Sequence, residues 1–193
     1  MLRKLVLIAG FCTVAMIAAV APALATPIYA IANDGRTFIR FDSASPNAVT
    51  VVGNFSGAIS NLNSLDFRPA DGFLYGYSDV TDSIYRVNLA NGFTTLVSTS
   101  TTPTTTNLLG IDFNPVADRL RIVNVNDQNL RINVDTGAAI VDGTLAYAAA
   151  DPNFGVNPTI IDAAYTNSDR DPATGTTLYY LDYALDILSL IHI

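Results

Sequence analysis

Ser64-Leu65-Asp66-Phe67-Arg68-Pro69-Ala70-Asp71-Gly72-Phe73-Leu74-Tyr75 returns later in the chain as Gly110-Ile111-Asp112-Phe113-Asn114-Pro115-Val116-Ala117-Asp118-Arg119-Leu120-Arg121. Downstream of each copy, Tyr85-Arg86-Val87-Asn88 returns as Leu130-Arg131-Ile132-Asn133. A related beat precedes both, Ile39-Arg40-Phe41-Asp42, and another follows both, Tyr179-Tyr180-Leu181-Asp182. The beats start 46, 45 and 49 residues apart. A period of this size marks a repeat architecture, in which each unit buries its faces against its neighbours.

Each beat alternates with period two, the signature of a half-buried strand. Tyr85 and Val87 oppose Arg86 and Asn88; Leu130 and Ile132 oppose Arg131 and Asn133. Around each beat stand shorter apolar strands, such as Leu65 to Phe67 and Leu74 to Gly76, joined by Pro- and Asp-bearing turns. Proline fixes φ there, and aspartate bonds to its own local backbone. Asn91-Gly92 and Thr136-Gly137 read as tight turns leading into a fourth strand. The pattern predicts an all-β chain: a β-propeller-like array of four-stranded antiparallel blades, about 45–49 residues per repeat, in an incomplete ring. Gly143 to Pro158 reads as an ordered loop crossing one end, and Ser98 to Asn107 as a mobile connector.

The N-terminus sets the compartment. Arg3 and Lys4, an apolar run from Leu5 to Val20, and Ala23-Leu24-Ala25 form the three parts of a secretory signal peptide. The expected organisation is therefore a leader over 1–25, one domain over 26–188, and a tail over 189–193 foreign to the fold. The expected location is secreted, periplasmic or cell surface, with no transmembrane segment after cleavage. The only cysteine, Cys12, lies in the leader, so disulfides and thiolate chemistry are excluded from the exported chain. All seventeen acidic residues are aspartates. The formal net charge is −7, and loss of the leader makes it two more negative. Such a surface disfavours nucleic acid.

Several strings together are similar to the DUF4394 family: Gly110 to Val123, Asp127 to Gly137, Val141 to Ala149, Ala163 to Asn167 and Thr177 to Asp182. The resemblance implies a secreted bacterial protein of unknown function with a propeller-like repeat. It also implies a fragment, because the family continues with repeat sequence beyond the stretch resembling Leu185 to Leu188. It supplies no catalytic residues.

Candidate chemistry is sparse. The only histidine, His192, lies in the tail, which removes a Ser-His-Asp triad and histidine-ligated metals. Asp66 and Asp112, at one register in two units, are either cation ligands or acceptors for the following Pro-containing turn. Arg40, Arg86 and Arg131 either line a ligand-binding face or cover the sheet and pair with neighbouring aspartates. Arg119 and Arg121 replace Phe73 and Tyr75 of the corresponding unit, and charge confined to one unit points to ligand binding. Asp151 and Asn153 in the long loop are further ligand-binding candidates. Asp169 and Asp171 are candidate calcium ligands, and calcium is the cofactor they would hold.

The function expected is a secreted or surface binding or structural module, for a protein or a small-molecule or carbohydrate ligand. The alternative is a calcium-dependent hydrolase or lactonase-like enzyme. An open strand edge would also permit self-association.

Overall fold

The computed structural model describes residues 25–169, 171 and 173–189. Residues 1–24 of the expected leader, with Cys12, and residues 190–193, with His192, lie outside the described residues. Among the described residues no helix is long and apolar enough to cross a membrane.

Among the described residues the regular elements are β-strands, as the alternation predicts. The first sheet is β1 (Pro27–Ala32), β2 (Thr37–Asp42) and β3 (Ser45–Asn54), in that order. The second contains β4 (Ser56–Gly57), β5 (Ser64–Phe67), β6 (Leu74–Ser78), β7 (Ser83–Val87) and β8 (Phe93–Thr99). Its order is β4-β8-β7-β6-β5, antiparallel except where β4 joins β8 in parallel. The third is β9 (Leu109–Asn114), β10 (Arg119–Asn124), β11 (Asn129–Ile132) and β12 (Ala139–Val141). The fourth is β13 (Ile160–Tyr165), β14 (Leu178–Asp182) and β15 (Ile187–Ser189).

This corrects the β-propeller expectation. The sheets are four separate ones of three, five, four and three strands, and none is closed into a ring. Periodicity in a sequence fixes which faces pack together; it does not fix whether a row of sheets returns on itself. The last beat is also reassigned. β2, β7 and β11 are the Arg-bearing strands, but Tyr179–Asp182 belongs to β14, paired with β13 as β10 is with β9. Its counterparts are β6 and β10, and Ile187–Ser189 takes the place of the Arg-bearing strand. Ser189, expected in a foreign tail, pairs with Tyr180.

The interior lies between sheets. Phe38, Phe55, Leu62, Leu74, Tyr85 and Val87 fill the contact of the first and second sheets. Tyr75, Tyr77 and Ile84 meet Leu109, Ile111, Phe113, Leu120, Ile122, Leu130 and Ile132 between the second and third. Val123, Leu145, Tyr147, Ile160, Ala163 and Tyr180 form a smaller cluster between the third and fourth. The middle strands therefore bury both faces: every residue of β6 is buried, where alternation alone would leave half exposed. Gly137 makes one close approach possible: its φ is +74°, and a side chain there would collide with the Thr99 carbonyl.

At one end of the sheets, Arg68 ties the second to the third. It is buried, donates to both carboxylate oxygens of Asp118 at 2.8 and 2.6 Å, and donates to Asp135 at 2.9 Å. The opposite end carries the hairpin loops 33–36, 79–82, 125–128 and 183–186. Asp34, Asp82, Asp127 and Asp186 all have positive φ there, one in each hairpin. Aspartate tolerates that left-handed region better than most side chains. The connector after β8 is tied down at this end: Ser100 N donates to Asp82 O at 2.7 Å, and Thr104 N to the Asp82 carboxylate at 2.7 Å.

Candidate functional site

The repeated aspartates are stitches between sheets. Asp66 lies opposite Tyr75, and Asp112 opposite Arg121. Phe67, Phe113 and Tyr165 share one register, each opposite a leucine: Leu74, Leu120 and Leu178. The Asp66 carboxylate accepts from Phe67 N and from Phe113 N in the next sheet, both at 2.7 Å. Asp112 likewise accepts from Tyr165 N. The carboxylates act as acceptors, and their donors are the next sheet's amides, with Phe67 N beside Asp66, rather than the Pro-containing turn.

Crowding perturbs these carboxyls. Burial and the Asp66 charge push Asp112 up to about 8. Burial also raises Asp66 and Asp162. The Asp162 carboxylate occupies space that a side chain at Gly110 would fill. Among the described residues, no group of three or more His, Cys, Asp or Glu is arranged to hold a metal ion.

Arg119 and Arg121 share a face of β10 but are separated in role. Arg119 donates to the carbonyls of Asp118 and Ala117, bracing its own turn. Arg121 is 4% exposed. It donates to Asn129 Oδ1 at 2.5 Å and Asp142 Oδ2 at 2.6 Å. Arg131 holds the same Asp142 through two bonds, at 2.6 and 2.7 Å. Burial would raise Asp142, but Arg131 and Arg121 more than offset it and hold this carboxyl below its ordinary value. Arg86 covers the Phe73 ring, 3.3 Å from its centroid, and Arg40 is exposed on β2.

The loop candidates are likewise engaged with their own backbone. Asp151 Oδ1 accepts from Asn153 N at 2.8 Å. Asp169 Oδ1 accepts from Asp171 N, and Asp171 Oδ1 from Ala173 N, both at 2.9 Å. Arg170 and Pro172, between them, lie outside the described residues. The long loop is anchored by buried Leu145 and Tyr147, and the Tyr147 hydroxyl donates to Asp182 at 2.6 Å.

A groove of about 450 Å³ lies among Phe73, Arg86 and Phe93, toward the end that carries Arg68, and two others lie at the hairpin end. A groove of about 490 Å³ runs between the first and second sheets, lined by Asp34, Asn61, Asn63, Asp79 and Asn107 among others. A second groove of about 700 Å³ crosses the third and fourth sheets. Its lining is mainly apolar: Leu108, Leu109, Val125, Ile161 and the Tyr183 ring. The two share Asn107. The Asn107 side chain is exposed, and Tyr183 is 67% exposed. Local bonds position the polar wall: Asn61 donates to Asp34 O at 2.6 Å, and Asn63 Oδ1 accepts from Asp79 N at 2.8 Å. None of these residues stands out in the sequence reading. Their only signal is that each precedes or follows a repeat strand at one fixed end.

Against known proteins, the family described as "Domain of unknown function (DUF4394)" matches residues 37–192. No curated protein matches. Solved structures share the fold at low identity. A protein of unknown function from Bacteroides thetaiotaomicron VPI-5482 is 15% identical, with 84% of this chain and 44% of that one covered and a TM-score of 0.50. An auxiliary nutrient binding protein from the same organism is 17% identical, with coverages of 82% and 39% and a TM-score of 0.51. An auxiliary nutrient binding protein from Bacteroides ovatus ATCC 8483 is 14% identical, with coverages of 82% and 40% and a TM-score of 0.50. The chain spans less than half the length of each.

Proposed function

The chain belongs to the DUF4394 family, and we propose that it is a binding module that takes a neutral saccharide at the hairpin end, outside the cytoplasm. The observation that carries this reading is the pair of grooves meeting at Asn107. Ligand sites are concave, with a few polar groups set in apolar surroundings. A sugar ring has hydroxyls at its rim and an apolar C–H face. The amide and carboxylate wall suits the hydroxyls, and the exposed Tyr183 ring beside Leu108 and Ile161 suits the apolar face. The likeness to nutrient binding proteins supports a small-molecule ligand, and the expected leader supports a secreted, periplasmic or surface location.

Calorimetric titration against a panel of neutral oligosaccharides tests the reading. At least one should bind, and Tyr183→Ala should weaken it about tenfold, or ~1.4 kcal/mol. Asn107→Ala should also weaken it. Binding that survives both substitutions, or no binding across the panel, sinks the proposal.

A further inference from the structure

Arg86 and Arg131 hold one place in the repeat and are treated differently. Arg86 lies opposite Tyr75, itself opposite Asp66; Arg131 lies opposite Arg121, itself opposite Asp112. Arg131 has a carboxylate of its own, Asp142, which accepts two of its bonds at 2.6 and 2.7 Å. Asp142 stands five residues after Gly137. Five residues after Gly92, the matching place in the second sheet, stands Val97, packed against the apolar cluster. Among the described residues Arg86 makes no ion pair.

Arg86 rests instead on the Phe73 ring, its guanidinium carbon 3.3 Å from the ring centroid. At that distance only a face-on guanidinium avoids a clash, so its N–H edges point away from the ring. They border the groove of about 450 Å³ at the Arg68 end, together with Leu89, Phe93 and Thr95. Arg86 is the one charged residue in the lining of that groove. Phe93 is 49% exposed and Leu89 38%, so an apolar wall stands beside the cation. The groove is made by residues from the middle of the chain, on a sheet packed against described neighbours on both faces.

We propose that this groove binds a small organic carboxylate with a flat apolar body, its carboxylate bonded to Arg86 as Asp142 is to Arg131. A stacked guanidinium offers a planar fork that matches a carboxylate, and it is more weakly hydrated than an ammonium. Phe93 and Leu89 cover the body of the ligand. The site is separate from the saccharide grooves at the hairpin end.

Benzoate is the probe, titrated into the labelled full chain while NMR follows the backbone amides and the Arg Nε–H groups. Saturable shifts should appear at Arg86, Phe73, Phe93 and Thr95. Benzamide, the neutral isostere, and acetate, which lacks the apolar body, should each bind at least tenfold more weakly. Arg86→Gln should weaken benzoate at least tenfold. Thr95→Asp places a carboxylate directly across from Arg86 at an exposed position and should block benzoate while leaving the arginine in place. Unchanged thermal melts show that the variants are folded, and Thr95→Asp decides the matter should Arg86→Gln fail to fold. No saturable shift at these residues overturns the proposal. So does benzamide or acetate binding as tightly as benzoate, or benzoate binding that survives Arg86→Gln or Thr95→Asp.

Discussion

The contact between the second and third sheets and the contact between the third and fourth occupy the same place in the repeat but are held differently. The first is a broad apolar cluster, with Phe113 edge-on to Tyr75 at 5.6 Å. Its charges sit at the end, where Arg68 clamps Asp118 and Asp135. The second has a smaller apolar cluster and carries its charges inside: Arg121 stands at the position Tyr75 has one sheet earlier, opposite the equivalent aspartate. One exchange of aromatic for cation propagates. The buried guanidinium needs acceptors, and Asn129 and Asp142 supply them. A repeat thus tolerates charge between its units when the same unit brings the partner.

Removing one partner from each contact separates the two designs. Asp142→Ala leaves Arg121, 5% exposed in its side chain, without its carboxylate. A buried charge stripped of its partner costs about 3–5 kcal/mol. Arg68→Ala leaves Asp118 and Asp135, whose side chains are 37% and 66% exposed, and water takes over their solvation. Its cost should be smaller, about 1–2 kcal/mol, from lost packing and charge-assisted bonds. Urea denaturation of both variants measures the difference. Equal losses would mean that the inner pair is no more demanding than the outer clamp.

Much of this was legible in the sequence, and the part that was not has physical causes. Alternation placed β7 and β11, and the turns at Asn91-Gly92 and Thr136-Gly137 fell where expected, with both glycines at positive φ. The unit-specific Arg121 stands out in the sequence, but its acceptors come from β11 and from the segment after β12, and spacing along the chain does not report that proximity. β1 and β3 escaped notice: Pro27–Ala32 directly follows the expected leader, and β3 contains Pro46 and bulges against β2. The groove residues Asn61, Asn63 and Asn107 lie on segments between strands, where no periodicity exists to register them.

The stitches differ between the two contacts in a way that pH can read. Asp66 joins the second and third sheets, and Asp112 the third and fourth. A carboxyl pushed up to about 8 in the folded chain binds more protons folded than unfolded. Its contribution to stability is full below the ordinary carboxylate value and is lost as pH climbs through about 8. The melting temperature should therefore fall between about pH 4 and pH 8. Asp142 and Asp135 are held low, so they act only on the acid side of that window. Asp112→Asn keeps a carbonyl acceptor for Tyr165 N and should flatten the fall. A fall of undiminished slope in this variant would place its origin in other groups.

The smallest effect sharpens the comparison most. Tyr77 and Tyr180 are both fully buried, one in each contact. The Tyr77 hydroxyl donates to Asp82 at 3.0 Å. The Tyr180 hydroxyl has no partner among the described residues. A buried hydroxyl without a hydrogen bond costs free energy, whereas a satisfied one contributes about 1 kcal/mol. Tyr77→Phe should therefore destabilise by about that amount, and Tyr180→Phe should be neutral or stabilise by up to ~1 kcal/mol. Paired thermal melts decide it. Were both substitutions to cost the same, a water between Tyr180 and the Arg121 network would satisfy that hydroxyl, and the contact of the third and fourth sheets would be a continuous polar seam.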